Sequence, residues 1–373
     1  MFSALLILFF SVYLFAEQNP VDSLKKVLST QADDANKVNT LIDLSVKYRA
    51  TSADTAMIYA EQAKSLAEKI NYGKGLGYAL KAIGIVYNMR SDYVNALQAW
   101  KEALSIFERD SIKVGISNMY NNIGAIYYNK ALEDSAQDNY LKSLSVAEEI
   151  NDTLRIATAL MNLGTVYSNK PKTYDKALEI YQRALPLNTA IHDTDNLGTN
   201  LVNIGEIFLN KSLKVDTSET DKARDMDSAL VYLLQARKVE VGWPTLPYAL
   251  KTIGIVHRNK KNYELALEYQ QMAYDTAKKF ELKTDMAQAL LNKAITYQEM
   301  KNYKSAIPTF LEAEEILKNI GLEETYDLQY VYEGLTSSYS ALKDFSSAFQ
   351  YQSMLIEVKN KIYNLDKIGR AHV

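Results

Sequence analysis

Small and apolar residues recur at helical spacing along most of the chain. The stretch 78–107 (YALKAIGIVYNMRSDYVNALQAWKEALSIF) shows the pattern most clearly, as two runs separated by the polar segment 88–92. In each run the apolar positions fall every three or four residues, which places them on one face of an α-helix. The polar segment predicts a turn. We therefore predict two helices joined by a short turn, with Gly84 allowing a neighbouring side chain to approach the first helix closely.

The same pattern returns about eight times. Each copy has a small residue, an aromatic residue three positions later, and further small residues nine and then seven positions after that. The small positions are Ser45, Gly84, Gly124, Gly164, Gly205, Gly254, Ala294 and Thr336. Most successive copies stand 40 or 41 residues apart, and the longer interval from Gly205 to Gly254 marks an insertion. The first and last copies are degenerate, as capping repeats are, so we predict one unbroken array.

The segments YNNIGAIYYNK, LMNLGTVYSNK and LVNIGEIFLNK, each followed by a helix of the form YDKALEIYQRAL, resemble the tetratricopeptide repeat with both helices lengthened. A period of ~40 alone is nearer to HEAT and armadillo repeats, so the residues carry the resemblance and the length does not. The resemblance covers roughly residues 35–361. It implies an all-α fold, a right-handed superhelical solenoid of about eight helical hairpins that binds proteins or peptides along its first helices.

The resemblance also indicates which first-helix positions face a ligand. They lie six and three residues before the small residue, and one and four residues after it. The candidate ligand-binding residues selected in this way are Tyr78, Lys81, Asn88, Asn118, Asn121, Tyr128, Tyr248, Lys251, Arg258, Gln288 and Gln298. The same rule selects the apolar neighbours Ile85, Ala125, Ile255, Leu291 and Ile295. This polar and aromatic set suits an extended peptide or an acidic segment. It does not reproduce the lysine and asparagine clamp that some family members use on a C-terminal carboxylate.

No pattern in the chain predicts catalysis. The three histidines, His192, His257 and His372, are far apart, none has a second ligand at helical spacing, and we expect no metal site and no cofactor. His257 occupies an aromatic position of the repeat, which predicts packing. Acidic and basic residues alternate along the helices and the formal net charge is −3, so we expect no nucleic-acid binding in this region. An enzyme would need a convergent pair of titratable groups with shifted pKa values, and the sequence offers no candidate.

Two repeated features, the tyrosines and the asparagines, are explained by packing of the repeat, whereas two irregular features, an insertion and Trp243, are not. Most of the 27 tyrosines stand at packing positions of the repeat, as do asparagines two residues before the small residue, including Asn292. The insertion, LKVDTSETDKARD at 213–225, is predicted to enlarge a turn and project from one face, with a local binding role as the alternative. Trp243, in the apolar connection 242–247, either fills a gap beside the long repeat or forms an exposed contact.

The N-terminal residues 1–16 (MFSALLILFFSVYLFA) read as a signal peptide, followed by a polar lead-in at 17–34. The apolar run is short for a membrane span, which needs ~20 residues. No Lys or Arg precedes Lys25, and an uncleaved anchor is the alternative. The chain has no cysteine, which excludes a lipoprotein anchor and disulfides. We expect an exported bacterial protein of the periplasm or cell envelope.

The C-terminal residues 362–373 are predicted to be a truncated exit from the array. The stretch 350–367 resembles the exit from repeat arrays in Bacteroidetes-type sensor proteins, where it leads to a membrane helix and a histidine kinase, nucleotide cyclase or DNA-binding output domain. The string IGRAHV at 368–373 is the in-frame translation of a common sequencing-library adapter, so we predict that these residues are not native and follow no helical pattern.

Together these features favour the non-catalytic, extracytoplasmic input region of a truncated signal-transduction protein. A complete secreted or periplasmic adaptor that assembles protein complexes is the alternative. The expected partners are a protein or a peptide, with membrane contact only through the N-terminal segment or a missing C-terminal helix. A homodimer of the full-length protein is left open.

Overall fold

The computed structural model describes residues 20–239, 245–322 and 325–371. Within these ranges the chain forms seventeen α-helices and one short 3₁₀ helix, with no β-strand, which confirms the all-α fold. Helix α1 (Pro20–Leu28) precedes eight successive helix pairs. The pairs are α2 (Ala35–Tyr48) with α3 (Ala53–Lys69), α4 (Gly73–Met89) with α5 (Tyr93–Arg109), α6 (Lys113–Asn129) with α7 (Glu133–Glu149), α8 (Thr153–Ser168) with α9 (Tyr174–Ala190), α10 (Thr194–Ser212) with α11 (Glu219–Lys238), α12 (Thr245–Asn259) with α13 (Tyr263–Lys279), α14 (Lys283–Glu299) with α15 (Tyr303–Asn319), and α16 (Tyr326–Ala341) with α17 (Phe345–Ala371). The chain divides into two compact units, residues 1–126 (unit 1) and 127–373 (unit 2).

The turn after α4 shows how a polar segment separates two helices. The N–H groups of Ser91 and Asp92 donate to the carbonyls of Asn88 and Tyr87, both at 2.9 Å. Ser91 has a φ of 60°, the left-handed conformation with which this C-terminal closure ends a helix. The Asp92 carboxylate then accepts the N–H of Asn95 at 3.2 Å and caps α5. The segment 88–92 therefore ends one helix and begins the next, as predicted.

The small residue of the repeat is the point where a first helix meets its own second helix. A Cβ atom placed on Gly84 would stand 2.2 Å from Nε1 of Trp100, and one on Gly164 would stand 2.5 Å from Cε1 of Tyr181. Both aromatic side chains are buried. The predicted close approach at Gly84 is therefore confirmed, and it is a contact of side chain against backbone that no larger residue would allow.

Several aromatic residues pack as predicted from their repeat positions. Tyr140, Tyr167 and Tyr181 are buried in one core cluster of unit 2. His257 stacks on Tyr269 with ring centres 5.5 Å apart, and burial lowers the pKa of its imidazole. His257 therefore has the packing role that its place in the repeat predicted.

The insertion differs from its prediction. It lengthens both helices of its pair: α10 runs to Ser212, α11 begins at Glu219, and only residues 213–218 connect them. The Ser218 hydroxyl accepts the N–H of Asp221 at 3.1 Å and caps α11, and Met226 is buried. The cap and this apolar anchor start the helix two turns earlier than the repeat pattern alone predicts.

Some predictions for the two ends of the chain and for Trp243 fall outside the described residues, and one is corrected by the structure. The signal segment 1–16 and Trp243 lie outside the described residues. Helix α17 continues to Ala371, whereas the sequence predicted no helix from Ile368 onward. A helix in progress gains a backbone hydrogen bond with each residue added, and residues 362–371 contain no proline to stop it. The adapter origin of 368–373 and the boundary at 361/362 stay predictions. Among the helices that the structure describes, none is both long and apolar enough to span a membrane.

Candidate functional site

A groove of about 390 Å³ opens on the first helices of four successive pairs in unit 2. Helices α10, α12, α14 and α16 contribute its walls. We call it the first-helix groove and define it by its lining residues, which are Glu206, Leu209, Asn210, Leu213, Tyr248, Lys251, Thr252, Ile255, Gln288, Leu291, Asn292, Ile295, Asp327 and Tyr330. Tyr248, Lys251 and Gln288 are three of the candidates selected from the sequence, and Ile255, Leu291 and Ile295 are three of their apolar neighbours.

Lys251 lies in the centre of this groove and is held by internal partners. Its Nζ donates to Oε1 of Gln288 at 2.6 Å and stands 4.1 Å from the centre of the Tyr248 ring. Gln288 in turn donates through Nε2 to Oδ2 of Asp327 at 3.0 Å. Burial lowers the pKa of Lys251, while the charges of Asp285, Glu206 and Asp327 oppose that shift. The ammonium group is therefore partly withdrawn from solvent and attracted by the charges of three carboxylates.

Tyr248 and Glu206 form the second polar contact of the groove. The Tyr248 hydroxyl donates to Oε1 of Glu206 at 2.6 Å. Burial, together with the Glu206 charge, raises the pKa of Tyr248 well above its ordinary value, so the phenol stays a neutral donor. Beside Lys251, burial raises the pKa of Asp285 even though the lysine charge opposes the shift.

Lys251 and Asp285 are thus a pair of titratable groups with opposite pKa shifts, which the sequence did not reveal. Residues 34 positions apart meet only through the packing of α12 on α14. Buried ion-pair networks shift pKa values in the same way as catalytic sites do. Because the Lys251 ammonium already donates to Gln288, we assign the Lys251–Asp285 pair a structural role in the groove.

Arg258 and Gln298 lie beside the groove and join neighbouring first helices. Arg258 donates through one terminal guanidinium nitrogen to Oδ1 of Asn292 at 3.2 Å, and its Nε stands 3.3 Å from the Glu299 carboxylate without hydrogen-bond geometry. Burial lowers the pKa of Arg258, and Glu299 opposes that shift. Gln298 donates to the carbonyl of Gly334 at 3.3 Å. These two candidates therefore tie α12 to α14 and α14 to α16.

The other six candidates lie elsewhere. In unit 1, Tyr78 packs on Phe107 with ring centres 5.0 Å apart, and Nζ of Lys81 stands 5.9 Å from the Tyr78 ring. Asn88, Asn118 and Asn121 are half-buried on first helices of the same unit. Tyr128, in unit 2, donates to Oδ1 of Asn169 at 3.2 Å and is not among the groove residues.

Sequence reasoning missed six polar groove residues, which are Glu206, Asn210, Thr252, Asn292, Asp327 and Tyr330. Glu206 and Tyr330 obey the ligand-facing rule when it is applied to the copies at Gly205 and Thr336, so the signal was present. Asn292 was interpreted as a packing residue, yet it both lines the groove and accepts the Arg258 hydrogen bond. Asp327, at the start of α16, has no repeat signal and enters the groove through the tertiary fold.

A larger cavity of about 530 Å³ adjoins the inserted segment between α10 and α11. Its lysines are engaged within the protein: Lys222 pairs with Glu219 at 2.8 Å, and Lys214 donates to a backbone carbonyl at 3.1 Å. Val215, on its rim, is 95% exposed. We prefer the smaller groove as the candidate site because its polar groups converge. No set of His, Asp and Glu able to hold a metal occurs in the part of the chain that the structure describes.

Two stretches of the chain, residues 115–190 and 245–319, match the tetratricopeptide repeat family. The second stretch covers α12 to α15 and hence much of the groove. A search of curated protein sequences gave no match.

Solved structures of repeat proteins share the fold. The apo quorum sensor NprR from B. thuringiensis is 16% identical over 91% of this chain and 92% of its own, with a TM-score of 0.64. A signal-transduction ATPase with numerous domains and a tetratricopeptide repeat sensor, from Pyrococcus horikoshii, is 16% identical, with a TM-score of 0.64. That match covers 95% of this chain and 52% of the ATPase. A plasmid Rap conjugation gene regulator in complex with a Phr peptide is 13% identical over 92% of this chain and 95% of its own, with a TM-score of 0.55. At these identities the likeness establishes the fold alone, a tetratricopeptide-like array of helical hairpins.

Proposed function

We propose that this chain is a non-catalytic scaffold that recognises an extended segment of a protein or peptide in the first-helix groove of unit 2. The observation that carries the proposal is the composition of the groove. Polar anchors from Tyr248, Lys251 and Gln288 stand beside an apolar wall that includes Ile255 and Leu291. Ligand sites typically combine an apolar surface with a few convergent polar groups.

The dimensions favour an extended peptide over a small molecule. Packed helices lie 8–10 Å apart, so four successive first helices span roughly 25–30 Å. An extended chain advances at most about 3.3–3.6 Å per residue, so a peptide of about eight residues would reach from α10 to α16. The Rap regulator named above was solved with a peptide, which supports the same class of partner for this fold.

A selection of displayed random peptides against the full chain tests the proposal, followed by affinity measurement of an enriched peptide by fluorescence anisotropy. Tyr330 lines the groove and is 50% exposed, so Tyr330→Ala should weaken binding about tenfold or more, as loss of an aromatic contact does at interfaces. Tyr326 provides the matched control, because it lies on the same helix, is 55% exposed and does not line the groove.

Tyr326→Ala should leave the affinity within about twofold of the unmodified chain. Failure to enrich any peptide, or equal effects of the two tyrosine substitutions, would contradict recognition in the groove.

We further propose that the chain is the exported input region of a longer signal-transduction protein. The apolar segment 1–16 and the resemblance of 350–367 to sensor proteins support this proposal. A ligand bound to an exported array would act by favouring one arrangement of a helix that continues through the membrane. A complete secreted adaptor is the alternative.

Sequencing the gene in its source DNA beyond the codon for Lys367 separates the two. A continuation into an apolar stretch of ~20 residues supports the sensor. An early stop codon refutes the sensor and leaves the adaptor.

A further inference from the structure

The first-helix groove carries an excess of negative charge. Glu206 and Asp327 line it, and Asp285 stands close enough to Lys251 to oppose the shift of the lysine pKa. Lys251 is the single basic residue among the residues lining the groove. Among the lining residues, two carboxylates and one ammonium leave a formal excess of one negative charge, and the charge of Asp285, which is not a lining residue, adds to it.

Lys251 offers little to an incoming anion. Its ammonium group donates to Gln288 and lies over the Tyr248 ring, and burial lowers its pKa. A carboxylate of a ligand would have to displace these partners and approach Glu206 and Asp327 at the same time. Like charges brought together across an interface repel each other and weaken binding. The acidic segment that the sequence suggested as a ligand therefore does not suit this groove.

The two lining carboxylates can still accept hydrogen bonds. Glu206 accepts one from the Tyr248 hydroxyl and Asp327 accepts one from the Gln288 amide. An ionised carboxylate offers about four acceptor positions, and both side chains are half-buried and still reached by solvent. A cationic group would satisfy the open positions with charge-assisted hydrogen bonds, which are about twice as strong as neutral ones.

The apolar and aromatic residues complete a site for a long basic side chain. The Tyr248 ring already holds one ammonium group at 4.1 Å, and the half-exposed Tyr330 supplies a second ring at the groove. Ile255 and Ile295, both half-buried, offer an apolar surface on which the methylene stem of a lysine or arginine can lie.

We infer that the groove selects a peptide segment that places lysine or arginine side chains beside Glu206 at one end of the groove and beside Asp327 at the other. This inference rests on the proposed recognition of a peptide in the same groove and adds the charge of the ligand. The basic group is bound by hydrogen bonds and ion pairing, and no covalent step is involved.

The displayed-peptide selection tests the inference through the composition of the enriched peptides. We expect lysine and arginine to be enriched over the unselected library, and glutamate and aspartate to be depleted. Enrichment of acidic or uncharged peptides overturns the inference while the proposed function stands. If no peptide is enriched, the proposed function itself fails.

Single substitutions then test whether Glu206 and Asp327 are the carboxylates that bind the basic peptide. For an enriched basic peptide, Glu206→Gln and Asp327→Asn should each weaken binding by about tenfold or more, as removal of an interfacial charge partner does. Asp227→Asn is the matched control, because Asp227 lies on α11, pairs with Lys260 and is not part of the groove. Unchanged binding by both groove variants, or an equal loss with Asp227→Asn, overturns the inference.

Two measurements on the unmodified chain do not depend on how the variants fold. Affinity for the basic peptide should fall as sodium chloride rises from about 0.05 M to about 0.5 M, because salt screens the attraction. The same peptide with each lysine or arginine replaced by glutamate should lose binding. Affinity that is indifferent to salt and to this exchange of charge would overturn the inference.

Discussion

Replacing Gly84 with alanine would put a methyl group into space occupied by the Trp100 ring. The new Cβ would stand 2.2 Å from Nε1, 2.4 Å from Cδ1 and 2.9 Å from Cε2 of that ring. Favourable contact between carbon atoms occurs at about 3.5–4.0 Å, so the ring or the helix would have to move by more than about 1 Å. Trp100 is only 3% exposed, and its Nε1 donates to the carbonyl of Lys81 at 3.1 Å, so the ring has little freedom to give way.

The expected loss of stability combines three effects. Overpacking of a buried site costs about 1–3 kcal/mol. Disturbing the Trp100 hydrogen bond adds about 1 kcal/mol. Alanine is a better helix former than glycine and returns about 1 kcal/mol. We therefore expect Gly84→Ala to lower the free energy of unfolding by about 1–3 kcal/mol.

Urea unfolding followed by far-ultraviolet circular dichroism measures this change. Gly73 offers a control in the same helix, because the closest atoms to a Cβ there would be Oδ2 of Asp110 at 2.4 Å and a terminal nitrogen of Arg109 at 2.9 Å. Both atoms end flexible side chains that can move aside, so Gly73→Ala should not lower the free energy of unfolding and should raise it by up to about 1 kcal/mol, the gain in helix propensity. If Gly84→Ala is as stable as the unmodified chain, the repeated glycine does not serve close packing and the reasoning is wrong.

Two further predictions concern a turn and a buried tyrosine. Ala131 has a φ of 56°, where alanine is strained, so Ala131→Gly should raise the free energy of unfolding by about 1 kcal/mol. Ala223→Gly, on the exposed face of α11, should instead lower it by about 1 kcal/mol. A change of the same sign for both variants in urea unfolding would contradict this account. Burial raises the pKa of Tyr181 from 10.0 to about 12 in the folded chain. The neutral phenol therefore contributes its full stabilisation below pH 10, and the free energy of unfolding falls by roughly 2–3 kcal/mol as the pH rises through the folded pKa. Tyr181→Phe should flatten the fall in unfolding free energy between about pH 10 and pH 12, and an unchanged slope would show that this tyrosine does not titrate with unfolding.

The helix pairs and their closest contacts could be predicted from the sequence because they depend on local spacing. The helical period places Gly84 and Trp100 each on the apolar face of its own helix, and the short turn lets the two faces pack together. The end of α4 and the start of α5 follow from the polar segment between them. These features repeat along the chain, so each copy supports the interpretation of the others.

The groove could be predicted only in part, because its charge comes from residues that the repeat does not control. Asp327 and Asp285 stand at no ligand-facing position, and they approach Lys251 through the packing of three first helices. In the sequence, Lys251 suggested an acidic ligand. In the structure, the carboxylates near Lys251 give the groove an excess of negative charge. The insertion was predicted as a turn because the cap at Ser218 was not recognised as the start of a helix.

Mapping the contact of a bound peptide tests the central claim most directly. An enriched peptide carrying one photoreactive benzoylphenylalanine would be cross-linked to the full chain, and the modified residues identified by mass spectrometry. The account predicts attachment to the first helices α10, α12, α14 and α16, at residues lining the groove. Attachment to the second helices α11, α13 and α15, or to residues 214–218 of the inserted segment, would contradict it.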